Sequence, residues 1–164
     1  MKAVTRTLAP HHAANDDLAI VADGDLPLTS EGIYDAVGGH AHRPRIVFKV
    51  LKLYIPFIVL VPNPGSPNGF EHVRMFRHYR VHPAPDRRFR VRASSDYYRE
   101  WVIATGRRPS RHDRLSPEVF ERVLFAVQVH TVRLTSRQVE LPVGARYSVI
   151  SRVIERKAGG GAQL

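Results

Sequence analysis

The sequence predicts a mostly β or α+β protein, and three features carry that prediction. Residues 70–82 alternate between two sets of side chains with the period of a strand. Residues 45–60 and 123–134 are rich in the β-branched and aromatic residues that strands favour. Residues 94–106 have the capping residues of a helix, so a helix is expected between strands.

An acidic segment precedes the first predicted strand. Residues 1–25 hold four aspartates and little apolar periodicity, which predicts a flexible acidic N-terminal arm. Residues 26–37 then turn around Gly32 into a short first strand, and residues 38–44 are predicted to be a loop. Residues 45–60 form one long strand or two short strands broken at Pro56, because proline cannot donate to a sheet. Three prolines and an Asn-Gly pair in residues 61–69 predict a turn.

An arginine-rich segment, residues 87–92, is predicted to pair with residues 70–82 as a hairpin. Both segments alternate, and in each of them one face is basic. If the two basic faces coincide, one surface of the sheet carries a phenylalanine among five arginines: Phe76 with Arg74, Arg80, Arg88, Arg90 and Arg92.

The predicted helix between strands has readable ends. Ser94 or Ser95 caps its first turn, and Gly106 stands where a C-terminal cap belongs. One side of this helix is lined by Tyr98, Trp101, Val102 and Thr105.

The last third of the chain is predicted to hold one more strand and a closing helix. Residues 107–114 form a basic loop, and Ser116-Pro117-Glu118 starts a single helical turn. Residues 123–134 are the clearest strand, and a polar connection leads to a helix over residues 147–157. Residues 158–164 are predicted to be a disordered tail. A single β-rich domain over residues 26–157 results, most simply a small oligonucleotide-binding (OB)-like β-barrel with one helix between strands and one C-terminal helix.

The charge of the chain is strongly segregated. The net charge is +10, but residues 1–40 contribute −4 and residues 41–164 contribute +14. Twelve arginines face four acidic residues between His72 and Arg114, a clustering that indicates a nucleic-acid partner. Coding bias toward arginine explains the choice of arginine over lysine, but not this clustering. As a second hypothesis, the acidic arm folds onto the basic face and competes with nucleic acid.

Arginine and aromatic side chains together suit a single-stranded nucleic acid. Guanidinium groups grip phosphates, and aromatic faces stack on bases. Phe76 is the best candidate for stacking, since its neighbours two positions away are Arg74 and His78. The predicted binding residues are Arg74, Phe76, Arg80, Arg88, Arg90 and Arg92, with Arg107, Arg108 and Arg111 as a basic rim.

The sequence predicts neither catalysis nor a metal or cofactor. It has no glycine-rich phosphate loop, no nucleophile motif and no cysteine, although a nuclease with a dispersed site stays open. His78 and His82 on one strand stand about 13 Å apart, too far to share one zinc ion. Residues 1–8 lack the apolar run of a signal peptide, and the most apolar segment, residues 53–61, is too short to span a membrane. A cytoplasmic protein with no membrane partner is therefore expected.

Four segments resemble a set of small uncharacterised proteins of bacterial plasmids, integrative elements and prophages. The segments are EGIYDA near Glu31, KLYIPF near Lys52, the block GRRPSRHDRLSPEVF and the closing YSVI. The resemblance covers about residues 28–156. The genes of that family often lie beside replication primases or initiators, which implies such an enzyme as a partner. A similar order of elements occurs in phage replication and recombination accessories, and this second resemblance implies binding of single-stranded DNA. The chain departs from it in two ways: the acidic C-terminal tail typical of bacterial single-strand-binding proteins is missing, and Glu121-Arg122 stands where a Gly-Lys pair is expected.

The sequence thus predicts a non-catalytic protein that binds nucleic acid, preferably single-stranded DNA, during replication or transfer of a mobile genetic element. The alternative is an adaptor that docks onto a replication enzyme through protein–protein contacts. A long, unpaired apolar edge at residues 54–61 would favour the adaptor.

Overall fold

A computed structural model describes residues 28–85 and 88–158 of the protein. The predicted acidic arm, residues 1–25, and residues 159–164 of the predicted tail lie outside the described residues. About half of the described residues form strands, and one α-helix lies between them, in agreement with the predicted mostly β or α+β class. The elements are β1 Gly32–Gly38, β2 His42–Val47, β3 Val50–Pro62, β4 Phe70–Arg80, β5 His82–Pro83, β6 Phe89–Arg90, α1 Asp96–Thr105, β7 Leu124–Val132 and β8 Tyr147–Arg156, with short 3₁₀ turns at Pro117–Phe120 and Val143–Ala145.

Strand β3 is the centre of a six-stranded antiparallel sheet. Its whole length pairs with β4 on one side, while β2 and β1 share its other side, and the sheet continues through β7 to β8. Pro56 does not break β3, because its neighbour on that second side is the link between β1 and β2. The backbone N–H of Gly39 in this link donates to the carbonyl of Pro56 (2.8 Å). The missing N–H of Pro56 therefore costs no hydrogen bond to a neighbouring strand.

The break predicted at Pro56 is instead a turn at Phe48-Lys49. Residues Val47 and Val50 pair directly, so β2 and β3 form a hairpin with a two-residue loop. Both loop residues have positive φ, +50° for Phe48 and +63° for Lys49, as a type I′ turn requires. The Asn-Gly or Asp-Gly pair that is typical of such a turn is absent, so the sequence does not indicate this turn.

The predicted C-terminal helix is wrong, because residues 147–156 form strand β8. Ile150 and Val153 are buried, and their spacing of three imitates a helix. Two β-bulges produce this spacing: Val129 pairs with Ile150 and Val127 with Val153, while Ser151 and Ile154 are skipped in the register.

The predicted hairpin between residues 70–82 and the arginine-rich segment is present only as a two-residue ladder. His82 pairs with Arg90 and Pro83 with Phe89, in a small sheet separate from the main one. The backbone N–H of Val81 donates to the carbonyl of Leu51 (3.0 Å), so the chain before His82 is bonded to β3 and not to the arginine-rich segment. Arg88, Arg90 and Arg92 therefore do not continue the face of β4.

The sheet is curled around one hydrophobic core but does not close into the predicted barrel. Cα atoms of β4 and β8, the two ends of the strand order, approach within 8 Å, yet no backbone pairing joins them in the described residues. Helix α1 packs at this gap, capped by Ser95 and ended by Gly106 (φ +70°) as predicted. Its buried residues are Tyr97, Glu100, Trp101 and Ala104, one position away from most of the predicted face.

Candidate nucleic-acid interface

The outward side of β2, β3 and β4 carries a surface that we call the basic aromatic face. Three rows of it follow the strand register: Arg45 beside Lys52 and Arg80, His42 beside Tyr54 and His78, and Phe76 beside Pro56. Arg74 also lies on this side of the sheet, because it stands two residues before Phe76 on β4. The face consists of His42, Arg45, Lys52, Tyr54, Arg74, Phe76, His78 and Arg80.

The aromatic rings of this face touch each other across the strands. The ring of Phe76 lies 5.5 Å from that of His42 and 6.4 Å from that of Tyr54, both edge to face. Tyr54 lies 5.9 Å from His78. Each ring is half-buried or exposed, so a contiguous aromatic surface faces solvent.

Guanidinium groups accompany the rings. The guanidinium carbon of Arg45 lies 4.7 Å from the ring centroid of Tyr54, and that of Arg74 lies 5.3 Å from the ring centroid of Phe76. Cations at these distances are attracted to aromatic faces. The same guanidinium groups are placed to meet a phosphate when a base occupies the neighbouring ring.

The electrostatics of the face are uniformly positive. Glu71 is the only acidic residue in β2, β3 or β4, and it alternates with the inward residues of β4 rather than with Arg74 and Phe76. Burial and the charges of Lys52 and Arg77 lower the pKa of His78 below its usual value.

Strand β4 is fixed from behind this face by a buried ion pair. The Nη2 of Arg77 donates to Glu100 Oε1 of α1 (2.8 Å) and to Asp96 Oδ2 (3.1 Å), and the hydroxyl of Tyr79 donates to Glu100 Oε2 (2.6 Å). Burial alone would lower the pKa of Arg77, but its bonds to Glu100 raise it overall. Phe76 and His78 flank Arg77 in sequence, so this ion pair holds their stretch of β4 in place.

A cleft of about 970 Å³ lies on the other side of β2. Its floor is apolar, with Leu53, Val81 and Tyr97, and the hydroxyl of Tyr97 donates to the carbonyl of Leu115 (2.6 Å). Five arginines and two acidic residues line it as well: Arg43, Arg88, Arg90, Arg111 and Arg114, with Asp113 and Glu118. His42 belongs to both the cleft and the basic aromatic face, which makes the two surfaces continuous.

The structure distributes the predicted binding residues over several places. Arg74 and Phe76 are together on the basic aromatic face. Arg80 also lies there and shares a small hollow with Arg92. Arg88, Arg90 and Arg111 line the cleft.

The predicted basic rim is not one surface. Arg107 forms two hydrogen bonds with Asp113 (2.6 and 3.0 Å), which raise the pKa of Arg107 and lower that of Asp113. The Arg107 guanidinium also lies 5.4 Å from the ring centroid of Trp101. Arg108 is exposed but does not line the cleft.

Five residues of the face are not among the predicted binding residues: His42, Arg45, Lys52, Tyr54 and His78. Residues 45–60 are predicted only as one long or two short strands, although the half-buried Lys52 and Tyr54 alternate within them with the buried Leu53 and Ile55. That alternation was the available signal. His42 and Arg45 carry no comparable signal, because the bulge between them hides the period of β2.

Comparison with known protein families, curated proteins and solved structures gives no significant match to this chain. In the described part of the chain, no helix is long and apolar enough to cross a membrane. The same residues contain no group of three or more histidine, aspartate or glutamate side chains arranged to hold a metal ion.

Proposed function

We propose that this protein binds single-stranded nucleic acid, without catalysing a reaction on it, and that the basic aromatic face is the binding surface. The observation that carries the proposal is the contact of Tyr54 with Phe76 across β3 and β4, flanked by Arg45 and Arg74. Bases of any sequence stack on such rings, while the cations track the phosphates. An extended duplex hides its bases and offers these rings nothing to stack on.

The cleft gives the strand a continuation. A chain that leaves the face at His42 enters walls carrying Arg43, Arg88 and Arg90 over an apolar floor. In this proposal the curled sheet works as an OB-like barrel does, with a basic groove across its strands. Four further points are proposed on the sequence resemblance and the sequence features alone. The ligand is DNA, the process is replication or transfer of a mobile genetic element, the partner is a primase or initiator, and the location is the cytoplasm.

The adaptor role would be favoured by a long, unpaired apolar edge at residues 54–61, and that edge is paired. Residues 54–61 belong to β3, which pairs with β4 along one side and with β2 and β1 along the other. Their backbone is therefore internal to the sheet and offers no free edge to another protein.

Fluorescence anisotropy tests the proposal. A labelled oligonucleotide of roughly 30 residues, single-stranded or duplex, is titrated between about 50 and 300 mM salt. We expect a preference for the single strand, with part of the affinity surviving high salt because stacking is not ionic. Equal and steeply salt-dependent binding to both forms would reduce the face to a generic basic surface. An absence of binding at low salt would contradict the proposal and leave the adaptor role.

Charge reversal tests the arginine-rich segment, in which Arg88 and Arg90 line the cleft and Arg92 lies beside Arg80. The triple change of Arg88, Arg90 and Arg92 to Glu is expected to weaken binding and flatten its salt dependence. The matched control is the triple change Arg122→Glu, Arg137→Glu and Arg152→Glu, at exposed arginines that form no ion pair with the described residues. Equal losses in both variants would mean that only net charge matters.

A further inference from the structure

The tip of the β2–β3 hairpin presents an aromatic side chain to solvent. Phe48 is 87 % exposed, the largest exposed fraction among the large hydrophobic residues of the described chain. Ile46, two residues earlier, is 74 % exposed. Water-facing apolar side chains of this size at one tip indicate a contact with another molecule.

The backbone at this tip is unfavourable for the residues it holds. Phe48 and Lys49 both have the left-handed conformation (φ +50° and +63°), which side chains other than glycine and asparagine adopt at a cost. An Asn-Gly pair would make the same turn without strain. Folding therefore does not account for a phenylalanine here, and strained residues of this kind cluster at functional sites.

The surroundings of Phe48 select an anionic partner. No acidic residue occurs between Asp35 and Glu71 in the sequence, and Arg43, Arg45 and Lys49 accompany the tip. The hairpin is continuous with the basic aromatic face, since its strands carry Arg45, Lys52 and Tyr54. Tyr54 stands four residues beyond Val50, about 13 Å along the strand.

We propose that Phe48 stacks on the last base pair of a duplex when the single strand leaving that duplex lies on the basic aromatic face. The protein then recognises a junction between single- and double-stranded nucleic acid, with the hairpin tip as a wedge. Proteins insert phenylalanine and isoleucine at base steps in this way, partly unstacking them. The inference rests on the proposed function, because the same strand must occupy the face.

Four labelled probes test the inference: a single strand of about 12 nucleotides, a DNA hairpin with that strand as a 5′ overhang, the same hairpin with it as a 3′ overhang, and the blunt hairpin. We expect one overhang polarity to bind about tenfold more tightly than the single strand, the gain from stacking one further base. Phe48→Asn should abolish that gain and leave the affinity for the single strand unchanged. Asparagine suits the turn, so this variant is expected to remain folded.

A second readout reports on the base pair itself. The fluorescent base 2-aminopurine in the last pair of the overhang hairpin should change its emission on binding the wild type, and not on binding Phe48→Asn. The matched control Phe48→Tyr keeps an aromatic ring and all the charges at the tip, and should keep the junction preference.

Each contrary result has a distinct meaning. Single-strand binding without a junction preference overturns the inference alone, whereas no single-strand binding overturns the proposed function and the inference with it. Blunt hairpins that bind as well as junctions, with a loss in Phe48→Asn, would mean intercalation into duplex instead. The tip would be assigned to a membrane surface by a third result. In it, the wild type binds anionic lipid vesicles, Phe48→Asn does not, and both proteins show the same junction preference.

Discussion

Arg77 of β4 and Glu100 of α1 form an ion pair in the interior of the protein. Arg77 is 7 % exposed and Glu100 is 3 % exposed, and the Nε and Nη2 of the guanidinium reach both carboxylate oxygens at 2.8–3.3 Å. Tyr79 donates a further hydrogen bond to the same carboxylate, which leaves neither charge without a partner. This ion pair joins the only α-helix of the described residues to the strand that carries Phe76.

Removing one partner of this pair should be costly. We expect Glu100→Gln to lower the free energy of unfolding by about 3 kcal/mol, because the buried charge of Arg77 keeps only the more exposed Asp96 as its counter-ion. Urea denaturation followed by circular dichroism measures the change. The control is Arg99→Ala, which removes an exposed ion pair with Asp96 and should cost less than about 1 kcal/mol. Similar costs for both variants would show that the buried pair contributes no more than a surface pair.

Stacking and charge on the basic aromatic face should separate in binding experiments. Tyr54→Ala or Phe76→Ala is expected to cost about 1–3 kcal/mol of binding to single-stranded DNA and leave the salt slope unchanged. Arg45→Ala should instead reduce that slope. Anisotropy titrations at several salt concentrations give both quantities. Tyr147→Ala is the control, because Tyr147 is 53 % exposed on β8 and is not part of the basic aromatic face, so this variant should bind normally.

The low pKa of His78 predicts two opposite effects of acid. The folded protein holds the proton of His78 less tightly than the unfolded chain, whose pKa is near 6.5, so the stability of the free protein should fall as the pH drops below that value. A phosphate near Lys52 and His78 favours the protonated ring, so the affinity for single-stranded DNA should rise over the same window. His78→Gln should flatten both profiles. If the variant keeps the wild-type profiles, other histidines are responsible.

Gly38 is expected to be intolerant of any side chain. A Cβ at this position would lie 2.0 Å from the carbonyl oxygen of Phe120, a backbone atom that cannot move aside easily. The same segments exchange backbone hydrogen bonds, with Arg122 donating to the carbonyl of Gly38 (2.7 Å). Gly38→Ala should therefore lower the free energy of unfolding by about 1–3 kcal/mol.

Gly65 offers the matched control for that substitution. A Cβ there meets only the side chain of Asn63, at 3.4 Å, which is an ordinary contact. Gly65→Ala should leave the melting temperature nearly unchanged. Equal melting temperatures for the Gly38 and Gly65 variants would mean that the Phe120 backbone yields more easily than its hydrogen bonds suggest.

Local patterns predicted those elements whose periodicity is undisturbed. The alternation of β4, the caps of α1 at Ser95 and Gly106, and the apolar strand β7 were all readable from neighbouring residues. Strand β8 was read as a helix because its two bulges move Ile150 and Val153 to a helical spacing. The predicted buried face of α1 differs from the observed one by one position, because Glu100, a charged residue, occupies a core position opposite Arg77.

The candidate site was only half predictable for a different reason. Arg74 and Phe76 are two positions apart on one strand, so the sequence alone brings them together. Tyr54 meets Phe76 only through the pairing of Pro56 with Phe76, and that register is set by the whole sheet. The Arg107–Asp113 pairing that occupies one predicted rim residue also depends on the path of a loop.

Strand β3 runs unbroken past Pro56, and this should slow the opening of the sheet around it. A strand hydrogen-bonded to three others opens only with the whole sheet, so the amides of Ile55 and Phe57 should be among the slowest to exchange with deuterium. Tyr54 stands between them and the hairpin tip, on a support that does not loosen before global unfolding. A nucleic acid that arrives at this surface then spends little of its binding energy on ordering the protein.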